Sequence, residues 1–181
     1  MTTDAFAGSV RGPGGQDIVT GPDGKDRIIF HGWNADFTYR AVYSQRLDWQ
    51  GSRPIVEGAK VRYEAEDADF TRANARYATG ASNGAVVGGI DFADSRVTFT
   101  VHVPRAGTYR LYTRYANGSD GGAAGHALFV NGAAAGTVDY PFTGWDNWQV
   151  SEREVTLKGG TNTISYGKGA NYAELDAIDV A

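Results

Sequence analysis

Short runs of alternating apolar and polar residues recur along this chain, and they limit it to a β-rich fold. In the run Val97–Val103 every second residue is apolar, and Pro104 ends the strand. The dipeptide Asn131-Gly132 is typical of a hairpin turn. Further strand-like runs are Tyr109–Tyr115, Ala127–Val130, Trp148–Leu157, Asn162–Tyr166 and Leu175–Val180. We therefore predict an all-β chain built around an antiparallel β-sandwich.

Several other classes of protein are disfavoured by the composition. Apolar residues nowhere recur with a helical period over a usable length, so we predict no helix. The formal net charge is -4 and there is no basic run, so nucleic acid is not an expected partner. No apolar stretch approaches the roughly 20 residues of a membrane helix, so no membrane partner is expected either. The chain has no cysteine, which excludes disulfides and thiolate chemistry.

The first 58 residues differ in character from the rest. The segments Asp17–Thr20, Arg27–His31 and Tyr39–Tyr43 predict three strands of one small antiparallel sheet. Such a sheet cannot bury both of its faces by itself. We therefore expect its apolar residues to be exposed or docked on the rest of the chain. The residues concerned include Ile28, Phe30 and Val42.

We predict a division into two regions, residues 1–58 and residues 59–181. The segment Arg53–Gly58 is predicted to be the linker between them.

Three carboxylates near the two ends of the second region suggest a metal site. Glu64 and Glu66 are two residues apart in a predicted strand, so their side chains point to the same side. Asp176 lies in the last predicted strand and joins them if the first and last strands are neighbours. Three carboxylates in one place repel one another, and a hard cation such as calcium removes that conflict. The alternative is that all three are solvated carboxylates at strand edges.

From about Ala59 to Ala181 the sequence resembles the calcium-dependent carbohydrate-binding modules of families 35 and 6, and family 35 more closely. The resemblance implies a β-sandwich of the jelly-roll type, a sugar ligand, and calcium held by Glu64, Glu66 and Asp176. The segments that carry the resemblance are Tyr63–Glu66, Val87–Asp91, Val101–Tyr109, Arg114–Gly118, Val130–Gly132, Gly144–Trp148, Gly160–Ile164 and Leu175–Ile178.

The first region resembles the last propeller blade of a family 43 glycoside hydrolase. In that family such a blade is followed by a module of this kind, and the catalytic carboxylates lie in earlier blades. The resemblance therefore implies a remnant blade without catalytic residues, and no activity is expected from this chain itself. The segments that carry it are Arg11–Gln16, Pro22–Gly24, Ile29–Trp33 and Arg46–Trp49, followed by Pro54.

Sugar-binding candidates are found in the predicted loops of the second region. Trp145 lies in a glycine-flanked turn, and an exposed indole offers a flat apolar surface to the C–H face of a sugar ring. Trp148 is in phase with Val150 and is predicted to lie in the core. Asn171 and Tyr172 precede the last strand and could fix the orientation of the sugar.

Three further sugar-binding candidates are two arginines and a tyrosine. Arg114 and Arg76 could hold a carboxylate if the ligand contains uronic acid. Tyr77 could line the same end of the sandwich.

The sequence thus predicts a non-catalytic, calcium-stabilised module that binds plant cell-wall or similar polysaccharide beside an attached hydrolase. One alternative is a fragment of a working arabinan- or xylan-directed hydrolase. Another is a structural sandwich that binds no sugar. We expect a monomer in a secreted protein, although residues Met1–Gly8 lack the basic and apolar parts of a secretory signal.

Overall fold

Two β-structures make up this protein, an N-terminal four-stranded sheet and a larger sandwich. The computed structural model describes residues 1–181. The N-terminal sheet has the order β1-β2-β3-β4, and all of its pairs are antiparallel. A short 3-10 turn, Asp4–Phe6, precedes it. Its strands are β1 (Val10–Thr20), β2 (Asp26–Asn34), β3 (Arg40–Gln50) and β4 (Arg53–Val56).

The sandwich contains the remaining eleven strands in two sheets. The first follows the order β13-β10-β15-β8-β7, with β5 also paired to β15. The second has the order β12-β11-β14-β9-β6. The strands are β5 (Val61–Glu64), β6 (Asp69–Thr71), β7 (Asn74–Tyr77), β8 (Ala85–Gly88), β9 (Arg96–Val103), β10 (Gly107–Ala116), β11 (Ala124–Val130), β12 (Ala133–Tyr140), β13 (Gln149–Leu157), β14 (Gly160–Gly167) and β15 (Glu174–Val180). The predicted all-β fold with an antiparallel sandwich is confirmed. No helix is long and apolar enough to cross a membrane.

The core of the sandwich lies between the two sheets and contains 22 buried residues. Along β9, the side chains of Val97, Phe99, Val101 and Val103 are all buried, as their alternation predicted. Leu111 on β10 and Ile178 on β15 approach them from the opposite sheet and are fully buried. These inward-facing residues hold the two sheets together by excluding water from their facing surfaces.

A buried polar network also crosses this core. The hydroxyls of Thr113 and Tyr166 are 2.6 Å apart, and His126 Nδ1 lies 3.3 Å from the Tyr140 hydroxyl. Burial lowers the pKa of His126 to about 4. The imidazole is therefore neutral in the folded protein at neutral pH.

The N-terminal sheet buries one face beneath its own flanking residues. The Phe6 ring stacks on Phe30 with 5.2 Å between ring centroids, and Val10 and Ile28 complete this small core. The expectation that Ile28 and Phe30 would be exposed or docked on the sandwich is therefore wrong, because the preceding 3-10 turn covers them. Val42 is 75% exposed, as expected.

The predicted linker is also partly wrong. Arg53–Val56 forms strand β4, which pairs with the end of β3. A sheet of four strands results, because β3 continues to Gln50 and offers its free edge to the returning chain.

Polar contacts join the N-terminal sheet to the sandwich. Asp48 on β3 lies 3.0 Å from Nε2 of His102 on β9, and Gln50 donates to the Thr100 carbonyl at 3.3 Å. Arg53 on β4 donates to the Arg62 carbonyl at 2.7 Å. The sheet is therefore held against β5 and β9 rather than tethered loosely.

The buried imidazole predicts acid-sensitive folding. The unfolded chain binds a proton to His126 near pH 6.5, whereas the folded chain binds it only near pH 4. The contribution of His126 to the free energy of unfolding is therefore fully present above pH 6.5. It falls as the pH drops toward 4, by about 3 kcal/mol in total. Urea unfolding at a series of pH values measures this slope. We expect His126→Leu to flatten it and the exposed-site control His31→Gln to keep it, and an unchanged slope in His126→Leu would contradict the assignment.

Candidate functional site

Three loops meet at one end of the sandwich, and they contain three of the six sugar-binding candidates. They connect β10 to β11 (residues 117–123), β12 to β13 (residues 141–148) and β14 to β15 (residues 168–173), and we call them the end loops. The amides of Thr143 and Gly144 both donate to the Asn117 carbonyl at 2.9 Å. Gly125, just after the first loop, donates to the Ala170 carbonyl at 2.9 Å. Backbone hydrogen bonds therefore tie the three loops to one another.

Asn117 organises this end and was not identified from the sequence. Its side chain is fully buried, and its amide nitrogen donates to the carbonyls of Tyr140 at 2.9 Å and Gly122 at 2.8 Å. Its side-chain oxygen accepts from the Ser119 amide at 2.9 Å. In sequence it stands in an Asn-Gly pair, which predicts only a turn. Its burial depends on tertiary contacts that local sequence does not show.

Trp145 lies on the surface of the end loops. Its side chain is 48% exposed, as its glycine-flanked position predicted. The indole packs directly on Gly118, where an added Cβ would be only 2.3 Å from the Trp145 Cγ. Gly144 and Asp146 on either side have φ of 85° and 58°. One face of the ring is thus supported by backbone, and the residue remains open to solvent.

Asn171 and Tyr172 lie on the neighbouring end loop, so the structure brings them to the same end as Trp145. The side-chain nitrogen of Asn171 donates to the Ala123 carbonyl at 2.7 Å and to the Gly121 carbonyl at 3.3 Å. Tyr172 is 60% exposed. The two residues line a cleft of about 160 Å³ together with Ile90, Asp91, Lys168 and Gly169.

Arg76 connects β7 to the end loops through the carboxylates of Glu174 and Asp146. Its guanidinium makes two hydrogen bonds to the Glu174 carboxylate, and a third reaches Asp146 at 3.3 Å. The hydrogen bonds to Glu174 raise the pKa of Arg76. Tyr77, the next residue, is almost fully exposed and covers Gly84. The candidate Arg76 therefore lies beside the end loops and is already paired, whereas Tyr77 packs on the turn between β7 and β8.

Arg114 occupies a different place, on the outer face of the six-stranded sheet. It forms an ion pair with the fully buried Asp176 and donates to the Gly80 carbonyl at 3.1 Å. Its guanidinium also lies 5.5 Å from the centroid of the Trp148 ring.

Trp148 is not a core residue, contrary to the sequence-based prediction. It is half-buried beside the β7–β8 hairpin, and its indole nitrogen donates to the Thr79 carbonyl at 2.9 Å. Val150, which shares its phase, is 55% exposed. The physical reason is that β13 is an edge strand, paired only with β10, so alternation along it does not reveal which face is covered.

The carboxylates predicted to bind calcium come together only in part. β5 and β15 are neighbours, with Glu64 opposite Ala177. The Ser82 hydroxyl contacts the carboxylates of both Glu64 and Asp176, and the Ser82 amide donates to Asp176 at 2.9 Å. Both carboxylate oxygens of Glu66 are buried without a hydrogen-bond partner. No group of three His, Cys, Asp or Glu side chains is arranged to hold a metal ion.

These contacts test whether the residues fit a calcium ion. The donor set is right, since calcium prefers carboxylate, carbonyl and hydroxyl oxygens. Buried, unpaired oxygens such as those of Glu66 also call for a positive partner. Against this, the Arg114 guanidinium already neutralises Asp176. The chemistry of the residues therefore suits the ion, whereas the arrangement seen here is that of an Arg–Asp pair.

Comparison with known families identifies the class of protein that this fold defines. The family model described as carbohydrate binding module (family 35) matches residues 61–181. The chain belongs to this family.

A solved structure supports the same assignment, and a second one shares the fold. A family 35 carbohydrate binding module from Clostridium thermocellum is 30% identical, covers 67% of this chain and 98% of that chain, and superimposes with a TM-score of 0.62. An exo-beta-1,3-galactanase from Phanerochaete chrysosporium, solved with galactose, is 22% identical with a TM-score of 0.61. That likeness of fold covers 88% of this chain and 42% of the galactanase.

The curated relatives are much longer proteins. A 1,6-alpha-glucosyltransferase from Sporosarcina globispora is 38% identical over 114 residues, which is 58% of this chain and 8% of that relative. The chain thus spans less than a tenth of the length of this relative. The similarity therefore concerns a small part of that enzyme and not the whole of it.

Proposed function

We propose that this chain binds carbohydrate at the end loops and thereby holds a plant cell-wall-type polysaccharide near an attached glycoside hydrolase. The single observation that carries the proposal is the half-exposed Trp145 indole, laid on Gly118 at the loop end of a family 35 module. Such polysaccharides lie outside cells, so the proposal includes a secreted protein, and we propose that it is a monomer.

The chemistry of the surface agrees with a sugar ligand. A pyranose presents a flat face of C–H groups that packs on an indole, while its hydroxyls need polar partners at the rim. Asp91, Lys168 and Tyr172 line the neighbouring cleft and offer such partners. Since Gly118 supports the ring from below, Trp145 needs little ordering when the ligand binds.

Replacing Trp145 tests the proposal. We expect Trp145→Ala to weaken binding of the best oligosaccharide from a glycan array by about tenfold or more, since central aromatic contacts dominate such surfaces. Isothermal titration calorimetry measures the change. Parent Kd values are expected at about 10 µM to 1 mM, which corresponds to roughly 4 to 7 kcal/mol.

A matched control is available in Trp49, which is 43% exposed and lies on the N-terminal sheet. Trp49→Ala removes the same side chain at similar exposure and should bind like the parent. Unchanged affinity in Trp145→Ala would move the site elsewhere. Absence of binding to any glycan would favour the alternative of a structural sandwich that binds no sugar.

The N-terminal sheet is proposed to be the last blade of a family 43-type hydrolase. Residues 61–181 make up about two thirds of the chain, so a likeness to the galactanase over 88% of it must include part of this sheet. Val42 and Ile18 are exposed apolar residues of the sheet, as expected for a blade separated from its neighbours. The alternative of a fragment of a working arabinan- or xylan-directed hydrolase shares this origin.

Hydrolysis assays test the status of the chain as an enzyme. Glycosidases need a matched pair of carboxyl groups across the scissile bond, and the resemblance assigns those groups to other blades. We expect no turnover of aryl-arabinosides or aryl-xylosides above the rate of a heat-denatured sample. Turnover that persists through purification, and that substitutions in this chain remove, would show that the chain itself is catalytic.

A structural calcium ion held by Glu64, Glu66 and Asp176 is also proposed. The buried, unpaired oxygens of Glu66 support it, as does the meeting of Glu64 and Asp176 at Ser82. When bound, the ion would supply positive charge that ties the first strand of the module to the last. It would have no part in chemistry.

Chelation tests the ion. Binding to the folded state alone adds about 2.7 kcal/mol of stability when calcium is at 100 times its Kd. We therefore expect a chelator to lower the Tm of the parent. Asp176→Ala and the nearly isosteric Glu66→Gln should remove that response. The Tm of each variant is measured with and without chelator, so that any loss of stability caused by the substitution itself cancels. A parent Tm that ignores chelator would exclude the site.

A further inference from the structure

We propose that the end-loop surface selects an uncharged oligosaccharide and discriminates against uronic acid, because Arg76 beside it is already neutralised by carboxylates of the chain. This inference rests on the proposed function and concerns the chemical class of its ligand. Arginine is the side chain best suited to hold a sugar carboxylate, through paired hydrogen bonds from its planar guanidinium. The availability of that group therefore decides whether an acidic sugar is favoured.

Arg76 has no free hydrogen-bonding edge to offer. Its Nε and Nη2 atoms both donate to the Glu174 carboxylate, and Nη2 also donates to Asp146. Its Nη1 atom donates to the Tyr77 carbonyl at 3.0 Å. Glu174 is itself only 13% exposed, so its side chain depends on Arg76 for a counter-charge. A uronate that took Arg76 would leave this carboxylate half-buried and unpaired, which is unfavourable.

Arg114 lies away from the end loops, on the outer face of the six-stranded sheet. Its partner Asp176 is completely buried, and the Gly80 carbonyl accepts a further hydrogen bond. Asp176 is also a proposed calcium ligand, so the selectivity is assigned to Arg76 and not to Arg114. Arg76 thus cannot turn toward a ligand carboxylate without leaving Glu174 unpaired.

The charges that remain at the loop end are mainly negative. Asp91 and Asp120 are exposed and form no ion pair, whereas Lys168 is the only cation lining the cleft and shares it with Asp91. This balance repels a uronate but suits hydroxyl groups, because a carboxylate accepts from them and an ammonium donates to them.

Two exposed aromatic residues indicate that the ligand extends over more than one sugar ring. Trp145 packs on Gly118, at one side of the loop 117–123, and Asn171, which precedes Tyr172, bonds to Gly121 at the other. Both aromatic side chains are about half exposed or more. A chain of sugars that crosses this loop would contact both.

Matched pairs of oligosaccharides test the inference. The probes are maltohexaose, cellohexaose and mannohexaose, each in the neutral form and with its C6 hydroxyls oxidised to carboxylates. Calorimetry on the whole chain should show at least one neutral hexamer binding about fivefold or more tighter than its oxidised counterpart in low salt, with the ratio falling as salt is added. The matching disaccharides should bind more weakly than the hexamers.

One substitution isolates the cause. Glu174→Gln removes the charge that neutralises Arg76 and should shift the neutral-to-oxidised ratio toward the oxidised form. Asp23→Asn makes the same change of charge at an exposed pair on the N-terminal sheet and should leave the ratio unchanged.

The outcomes separate the two proposals. Equal or tighter binding of the oxidised hexamers by the parent overturns this inference and leaves carbohydrate binding intact. If Glu174→Gln leaves the neutral-to-oxidised ratio of affinities unchanged, neutralisation of Arg76 is not the cause of the selectivity. Absence of binding to every probe in both forms, together with a blank glycan array, overturns the proposed function and this inference with it.

Discussion

The rest of the structure depends on the pairing of β15 in the middle of its sheet. This last strand bonds to β10 along one edge and to β5 and β8 along the other. The two ends of the module are thereby joined through backbone hydrogen bonds. The pairing also sets the buried carboxylate of Asp176 between Arg114 of β10 and Ser82 of the β7–β8 hairpin. A change that displaces β15 would disturb the core, the ion pair and the preceding loop together.

The functional surface follows from the same arrangement. Ala116 at the end of β10 lies opposite Glu174 at the start of β15, so the loop after one strand meets the loop before the other. Asn117 then fixes the first of these loops from inside, and Gly118 leaves space for the Trp145 indole. The surface open to a ligand is therefore held in place by buried residues that would not touch it.

Much of the fold could be predicted because alternation reports burial directly wherever a strand has one covered face. The run Val97–Val103 is the clearest case, and all of its inward side chains are buried. Alternation does not report burial in edge strands. Trp148 beside β13 and Val150 on it are in phase, yet neither lies in the core. Residues Arg53–Val56 were predicted to be part of a linker, but they pair with β3 across the two-residue turn at Gly51 and Ser52.

The site was predictable to a similar extent. A tryptophan in a glycine-flanked turn has little reason to be there except for contact, and Trp145 is exposed as that reasoning required. The partners of a charged side chain cannot be read from sequence, because they lie far away along the chain. Arg76 and Glu174 are 98 residues apart, and Arg114 and Asp176 are 62 apart. Only the folded structure shows that these arginines are already neutralised, and Asn117 was missed for the same reason.

The central claim is that glycan is held at the end loops, and backbone and indole NMR resonances test it most directly. During titration with the best oligosaccharide from an array, we predict that the indole N–H of Trp145 and the amides of Gly118 and Gly144 shift and saturate together. The indole N–H of Trp148, bonded to the Thr79 carbonyl, should move little. Saturating shifts confined to the outer sheet faces or to the N-terminal sheet, with the Trp145 indole unmoved, would contradict the claim.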